Sequence, residues 1–167
     1  MGQELISAEV KVISGVVTNF TAPETIAKFS VERMFSYNSS IEIAFIAEAF
    51  KNWFWGKYEE PRHHESRIAG HELIEKSGDV AICLNLGNID LSLTEIYLML
   101  MTQPRGESKG PLLTNTRANI FYSRALDGKL KAIDIRRSWD GWHIFSYPLF
   151  LQTWPAGQRV FRPIKKL

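Results

Sequence analysis

Residues 39–56, which read SSIEIAFIAEAFKNWFWG, most constrain the fold, because their apolar period, their ends and their length agree on one element. On a helical wheel the apolar residues share a face centred on Phe50, opposite a polar face. Ser39 precedes Glu42 by three residues, the spacing of a capping box, and Gly56 suits the left-handed residue that ends a helix. We therefore predict an amphipathic helix here. Its apolar face consists of Ile43, Ile46, Ala47, Phe50, Trp53 and Phe54.

Three further apolar residues of this stretch fall near the polar side of the same wheel. A helix that lies on one sheet normally carries charged residues at such positions. If these side chains face away from the sheet, they form an exposed apolar patch of the kind that marks a partner site. We therefore predict self-association into a homo-oligomer through Ile41, Phe45 and Trp55.

The composition indicates one folded domain, residues 1–167, with an aromatic-rich core. Apolar residues make up 45% of the chain and charged residues 23%, and there are five Trp and ten Phe. A chain of this length buries roughly two thirds of its unfolded surface, so it needs no disulfide or metal to fold. The single cysteine, Cys83, fits a reducing compartment, and no signal peptide or membrane-length apolar run is visible. We expect a cytoplasmic protein that meets membranes only at their surface.

The sequence on either side of the predicted helix is rich in strand signals. Residues 5–20 predict a strand with a bend at Gly15. Residues 57–65 are mostly charged and indicate a solvated loop. Residues 80–86 predict a short buried strand, and residues 90–102 favour a long strand, with a helix as the alternative.

Two Asp-Gly pairs, at 127–128 and 140–141, are the strongest turn signals in the chain. They separate three runs with strand character and so predict an antiparallel meander. From residue 148 onward the sequence predicts an irregular, basic tail over 148–167. The fold class that follows is α+β, a single domain in which a curved antiparallel β-sheet packs against one main amphipathic helix. The three strands of the meander are expected at 114–124, 129–137 and 142–147.

No motif in the sequence states a chemistry. Three histidines and two glutamates lie close together, but on a helix His64 and His71 would stand two turns, about 10 Å, apart, too far for two ligands of one zinc ion. Nucleophile-elbow and phosphate-loop patterns are absent, and Cys83 lies in an apolar stretch where a thiol is usually inert. Asp134 and Glu95 are carboxylates that could act as acid or base in a pocket of a curved sheet, but a carboxylate on a strand more often faces water. We assign no catalytic residue, no metal and no cofactor.

The charge distribution is more informative than the motifs. After Asp140 the chain contains no acidic residue, while four cations lie among aromatic and aliphatic residues. A basic segment of this kind suits an anionic partner, either a phospholipid surface or a nucleic-acid backbone. The alternative is a solvated tail that only keeps the protein soluble. The predicted anion-binding or membrane-binding residues are Arg159, Arg162, Lys165 and Lys166.

Two segments resemble the matrix proteins of rhabdoviruses and related negative-strand RNA viruses. Residues 35–44, FSYNSSIEIA, lead into an aromatic-rich helix, and residues 133–146, IDIRRSWDGWHIFS, place basic residues before a small turn and a Trp after it. The order of strand, capped helix, polar loop and antiparallel strands is similar as well. The resemblance implies a non-enzymatic structural protein of the virion that self-associates and bridges membrane and nucleocapsid, with RNA as a further partner.

A second family has a similar layout. The NTF2-like cone packs a helix into a curved antiparallel meander, and its cavity holds small molecules or, in some members, a carboxylate and a histidine that move protons. That family usually begins with a long helix, whereas this chain begins with strand character. We therefore favour the matrix-like interpretation and keep a cone-fold small-molecule-binding protein or enzyme as the alternative.

Overall fold

The computed structural model of the chain describes residues 18–22, 30–37, 40–57 and 66–164. Within these residues the chain forms an α+β fold. The strands are β1 (Thr18–Ala22), β2 (Ile43–Ile46), β3 (Ser66–Glu72), β4 (Ser77–Gly78), β5 (Asn119–Arg124), β6 (Leu130–Ser138), β7 (Gly141–Pro148), β8 (Thr153–Trp154) and β9 (Arg159–Ile164). The helices are α1 (Val31–Met34), α2 (Glu48–Phe54), α3 (Asp79–Leu86) and α4 (Leu93–Met101).

Seven of the strands form one sheet in the order β1-β3-β9-β5-β6-β7-β2, and β4 and β8 form a separate ladder. β5, β6 and β7 are consecutive antiparallel neighbours. Asp127-Gly128 lies in the connection between β5 and β6, whereas Asp140 ends the turn between β6 and β7 and Gly141 is the first residue of β7. The φ angle is 78° at Gly128 and 146° at Gly141. A positive φ is reached at low cost only by glycine, so these residues fix the two turns. The sheet is mixed, however, because the β2–β7 and β5–β9 pairs are parallel.

The two faces of the sheet carry different cores. On one face α1, α2 and α4 pack against β6 and β7 through a large aromatic cluster that includes Phe50, Phe121 and Trp142. On the other face α3 and Trp154 cover a smaller cluster that includes Tyr122 and Val160. Alternation along the strands sends neighbouring side chains to opposite faces, so both faces are apolar where a helix covers them.

The predicted helix over 39–56 is wrong in its first half. Residues 43–46 form strand β2, and helix α2 begins only at Glu48, although Gly56 has a φ of 87° and follows the helix end as predicted. Strand β2 pairs with β7, and just after β2 the Ala47 N–H donates to the Ile144 carbonyl at 2.9 Å. The register of β2 on β7 shifts between Ile43 and Phe45, which lets Ile43 and Ile46 both face the core. A bulge thus reproduces the three-residue spacing of a helix.

Two predicted strands are helices. Residues 80–86 belong to α3, and residues 93–101 form α4, so the favoured strand over 90–102 is wrong and its helical alternative is correct. Helix α4 has a complete capping box, in which the Ser92 hydroxyl accepts from the Glu95 N–H at 3.1 Å and the Glu95 carboxylate accepts from the Ser92 N–H at 3.1 Å. Such a box outweighs the weak strand preference of the residues that follow it.

The expectation of an irregular segment after residue 148 is wrong for residues 153–154, which pair with β4, and for residues 159–164. Residues 159–164 form strand β9, which lies inside the sheet between β3 and β5. Val160 belongs to the smaller core, while Phe161 stacks on Phe121 in the larger core with centroids 4.9 Å apart. Adjacent buried residues on opposite faces are the mark of a strand covered on both sides.

Several predictions fall outside the described residues. The strand predicted over 5–20 is described only from Thr18, and the loop predicted over 57–65 only at Lys57. His63, His64, Lys165 and Lys166 also lie outside. No helix in the described ranges has the length and apolar character needed to cross a bilayer.

Candidate functional site

A cleft of about 410 Å³ opens on the face of β6 and β7 that α3 leaves uncovered. The strand register places Asp134 opposite Phe145 and Arg136 opposite His143, so polar and aromatic side chains alternate across the two strands. We call this the meander cleft. Its lining residues include Asp134, Arg136, Ser138, His143, Phe145 and Tyr147.

A buried ion pair forms one wall of the meander cleft. Arg136 Nε donates to both carboxylate oxygens of Asp134 at 3.0 Å, and Nη2 donates to Oδ2 at 2.8 Å. The Asp134 side chain is 1% exposed and the Arg136 side chain 42%. Burial raises the pKa of Asp134 although Arg136 opposes the shift, and the bonds to Asp134 raise the pKa of Arg136. The guanidinium is therefore held in one orientation at the cleft surface.

Two of the lining residues, His143 and Phe145 of β7, form a group of three rings with Phe45 of β2, which lies beside the cleft. We call these three residues the ring cluster. The centroid of Phe45 lies 5.8 Å from that of His143 and 5.5 Å from that of Phe145, with interplanar angles of 33° and 39°. His143 Nε2 lies 2.7 Å from Asp140 Oδ1, and this contact holds the pKa of Asp140 below its usual value. The imidazole is thus oriented by a carboxylate and by two neighbouring rings.

Asp79 is the centre of a buried network on the opposite side of α3 from solvent. The Tyr122 hydroxyl and the Trp154 indole N–H donate to Asp79 Oδ1 at 2.6 and 2.8 Å, and the Phe150 N–H donates to Oδ2 at 3.2 Å. Burial, reinforced by Asp79, raises the pKa of Tyr122 far above its usual value. Phe150 has a φ of 76°, a strained conformation for a residue with a side chain. The network therefore holds a strained turn in place.

The strained turn places apolar side chains in solvent beside helix α3. Phe150 is 69% exposed and Leu151 71%, while Val80 and Leu84, one turn apart on α3, are 48% and 60% exposed. The β4–β8 ladder and the bond from Phe150 to Asp79 bring the two segments together. We call these four residues the Leu84 patch. Large exposed apolar side chains on two neighbouring segments are typical of an interaction surface.

The three residues predicted for self-association do not form one exposed surface. Ile41 is buried, with 1% exposure, so the prediction is wrong for this residue. Trp55 is partly buried against the larger core, with its ring 5.8 Å from that of Phe50. Phe45 is 42% exposed but belongs to the ring cluster. The split follows from the bulged strand β2, because the helical wheel no longer applies before residue 48.

The basic residues predicted to bind anions are held by protein contacts where the structure describes them. Arg159 Nη1 donates to the Pro111 carbonyl at 2.8 Å, and the side chain is 13% exposed. Burial lowers the pKa of Arg159, with Glu72 opposing the shift. Arg162 Nε donates to His71 Nε2 at 2.9 Å. Arg159 is therefore a structural residue of the sheet.

The groups considered for chemistry have structural partners. Cys83 is half-buried on α3, and burial together with Asp79 raises the pKa of its thiol to about 11, which disfavours a thiolate at neutral pH. Glu95 caps α4, whereas Asp134 does line a cleft. The described part of the chain contains no group of three or more His, Cys, Asp or Glu side chains arranged to hold a metal ion.

Sequence reasoning missed most residues of these sites. The sequence contains enough information to predict that Arg136 and His143 lie opposite each other. The Asp140-Gly141 pair locates the turn, and the two-residue period of the strands then sets which residues face each other. The Asp79 network had no such signal, because Tyr122 lies 43 residues and Trp154 75 residues from Asp79. Contacts at such separations depend on the tertiary fold.

Comparisons with protein-family models, curated proteins and solved structures find no match to this chain.

Proposed function

We propose that the protein is a non-enzymatic, matrix-like structural protein of a virion that self-associates and bridges membrane and nucleocapsid. The observation that carries the proposal is the Leu84 patch, whose four apolar residues are 48 to 71% exposed. A second copy that covers this patch would remove apolar surface from water, which stabilises association by about 25 cal/mol per Å².

The strain at Phe150 supports a functional reading of the patch. A non-glycine residue at positive φ costs on the order of 1–3 kcal/mol and persists only where surrounding contacts impose it. Here the Asp79 carboxylate accepts from the Phe150 N–H, and the turn places Phe150 and the adjacent Leu151 in solvent. Exposing two large apolar residues by this means has no benefit for the isolated fold. It is explained if the turn meets a partner.

The chemistry of the buried groups supports a non-enzymatic role. The thiol of Cys83 is protonated at neutral pH because its pKa is raised to about 11, so it is a poor nucleophile. Asp134 accepts three hydrogen bonds from Arg136, which is an arrangement that neutralises a carboxylate and does not free it as a base. These groups are accounted for by the stability of the fold.

Self-association is tested by sedimentation velocity over a range of protein concentrations. We expect the wild-type protein to form larger species as concentration rises, and the double variant Leu84→Glu, Leu151→Glu to remain monomeric with an unchanged circular dichroism spectrum. Charged side chains placed in a contact of this kind must be desolvated without a partner, which opposes association.

Trp139→Glu is the matched control for this experiment. Trp139 is 92% exposed at the turn that precedes β7, whereas Phe150 follows β7 at its other end. We expect Trp139→Glu to associate like the wild type. A wild-type protein that stays monomeric at high concentration contradicts the function. Dissociation by Trp139→Glu as well would contradict the assignment to the Leu84 patch.

The bridging role adds an anionic membrane as a partner. The chain carries a net charge of +2, and a single copy would bind weakly, but repeated copies in an assembly multiply a weak attraction. Co-sedimentation with phosphatidylserine vesicles tests this step. We expect the wild type to pellet with vesicles at low salt and the dissociated double variant to pellet less.

A second candidate function is small-molecule binding in an NTF2-like, cone-shaped sheet. The observation that favours it is the meander cleft, which at about 410 Å³ is of the size that small-molecule sites occupy. That fold requires a strongly curved sheet around its cavity. A protein of this class would bind its ligand as a monomer, and its function would be unaffected by the variants of the Leu84 patch.

A further inference from the structure

The ring cluster is a partly exposed aromatic surface on the sheet face that carries the smaller core. Its three rings lie with centroids 5.5 to 6.4 Å apart and interplanar angles of 33 to 39°, so their faces are turned in similar directions. They belong to two hydrogen-bonded strands, with Phe45 beside His143 in the register. Aromatic side chains fixed on neighbouring strands provide a platform on which planar bases stack.

A directed hydrogen-bond donor lies next to this platform. Arg136 is opposite His143 across β6 and β7, and Asp134 holds its Nε and Nη2. Within the described residues Nη1 makes no hydrogen bond, and the side chain is 42% exposed. A guanidinium whose orientation is already fixed binds phosphate oxygens with little further loss of side-chain freedom.

Polar groups elsewhere in the cleft fit the same kind of ligand. Tyr147 lines the cleft, and its hydroxyl makes no hydrogen bond to the part of the chain that the structure describes. Burial raises the pKa of Tyr147, so its hydroxyl stays protonated and able to donate. Ser138 adds a second hydroxyl. Sugar and base edges are recognised by such donors and acceptors.

We propose that the meander cleft binds a nucleoside phosphate, with the base stacked on Phe45, His143 and Phe145 and the phosphate at Arg136. The nucleoside phosphate is either a free nucleotide or one unit of a single-stranded RNA. The inference goes beyond the proposed function, because the cleft shares no residue with the Leu84 patch and a monomer would contain it whole.

The charges of the cleft distinguish this site from a general basic patch. Asp134 pairs with Arg136 and Glu42 with Arg137, so each of these two guanidinium groups has a nearby anion, and Asp140 contacts His143. Binding would then depend on stacking and on one directed phosphate contact. For a single strand this predicts that log K falls with log salt with a slope of about −0.7, the value for one phosphate.

The test measures binding of adenosine monophosphate by calorimetry and of a labelled single-stranded octaadenylate by fluorescence anisotropy. The matched variants are Phe45→Tyr, which keeps the ring, and Phe45→Leu, which keeps only apolar bulk. We expect Phe45→Tyr to bind within about twofold of the wild type and Phe45→Leu to bind about tenfold more weakly, as for the loss of one stacked base. Both variants must first show the wild-type melting temperature.

Using the Leu84→Glu, Leu151→Glu protein as the background keeps this test separate from self-association. If RNA binds more tightly than the nucleotide, and Phe45→Leu weakens binding while Phe45→Tyr does not, the site is assigned to single-stranded RNA. Nucleotide binding as tight as RNA binding, with the same pattern, assigns it to a free nucleotide. Absence of both kinds of binding overturns the proposal, and so does equal binding by Phe45→Leu and Phe45→Tyr. Phosphatidylserine vesicles that compete with the nucleotide at equal affinity would also overturn it, because the site would then recognise negative charge and not the base.

Discussion

At the scale of single residues, aromatic side chains do most to define the larger core. Phe50 is fully buried, and its ring lies 5.4 Å from that of Phe35, 4.9 Å from that of Phe54 and 5.8 Å from that of Trp55. Ring contacts of this kind add about 0.5–1.5 kcal/mol each beyond the burial of their surface. Phe50 therefore joins α2 to the end of α1 through several contacts at once within the larger core.

We expect Phe50→Ala to lower the free energy of unfolding by about 3–5 kcal/mol, because the surrounding rings only partly fill the resulting cavity. Chemical denaturation measures this change. Trp139→Ala is the control, since Trp139 is 92% exposed and its loss should change stability by less than about 0.5 kcal/mol. A loss below about 1 kcal/mol for Phe50→Ala would contradict its central place in the core.

At the scale of elements, one buried side chain organises the loop between α4 and β5. Gln103 is fully buried, and its Nε2 donates to the carbonyls of Glu107 and Leu112 at 2.8 and 3.1 Å. Its Oε1 accepts from the Leu112 N–H at 2.9 Å, and its own carbonyl accepts from the Trp142 indole at 2.9 Å. An amide side chain thus supplies the backbone pairing that a regular element would provide.

We expect Gln103→Ala to cost about 2–4 kcal/mol, because it leaves the N–H and carbonyl of Leu112 buried without a partner. Faster hydrogen exchange at the Leu112 amide, with smaller changes in β6 and β7, would locate the effect. Gln152→Ala is the control, since Gln152 is only partly buried and makes no side-chain hydrogen bond to the described residues. Equal stabilities of the two variants would mean that the loop does not depend on Gln103.

Prediction from the sequence succeeded where local chemistry decides the structure. The Asp-Gly turns of the meander and the role of Gly56 after α2 follow from the freedom of glycine at positive φ. Prediction failed at β2, where a bulge gives Ile43 and Ile46 the spacing of a helix, and at α3, whose short apolar run fits either structure. It failed at β9 because strand pairing there depends on residues far away in the sequence.

At the scale of the whole molecule, β9 determines whether the sheet is continuous. It pairs with β3 from Arg67↔Ile164 to Glu72↔Arg159 and with β5 on its other side. Phe161 belongs to the larger core and Val160 to the smaller core. Removing β9 would separate the β1–β3 pair from the meander and expose the facing edges of β3 and β5.

We therefore expect a chain that ends at Gly157 to show no cooperative thermal transition and no near-ultraviolet circular dichroism. A chain that ends at Ile164 keeps all of β9 and is the control, with an expected melting temperature close to that of the full chain. A cooperative transition in the shorter chain would show that the sheet tolerates the loss of β9.

The position of β9 also has a consequence for the order of events during synthesis. Residues 66–72 and 119–124 leave the ribosome well before residues 159–164, yet the strands they form, β3 and β5, are joined into one sheet only by β9, which lies between them. Until the later segment emerges, the nascent chain holds two unpaired strand edges, which are sites of aggregation. Non-local pairing of this kind is also slow to form. We therefore expect these edges of the nascent chain to stay open to a chaperone that binds extended apolar segments until residues 159–164 have left the ribosome.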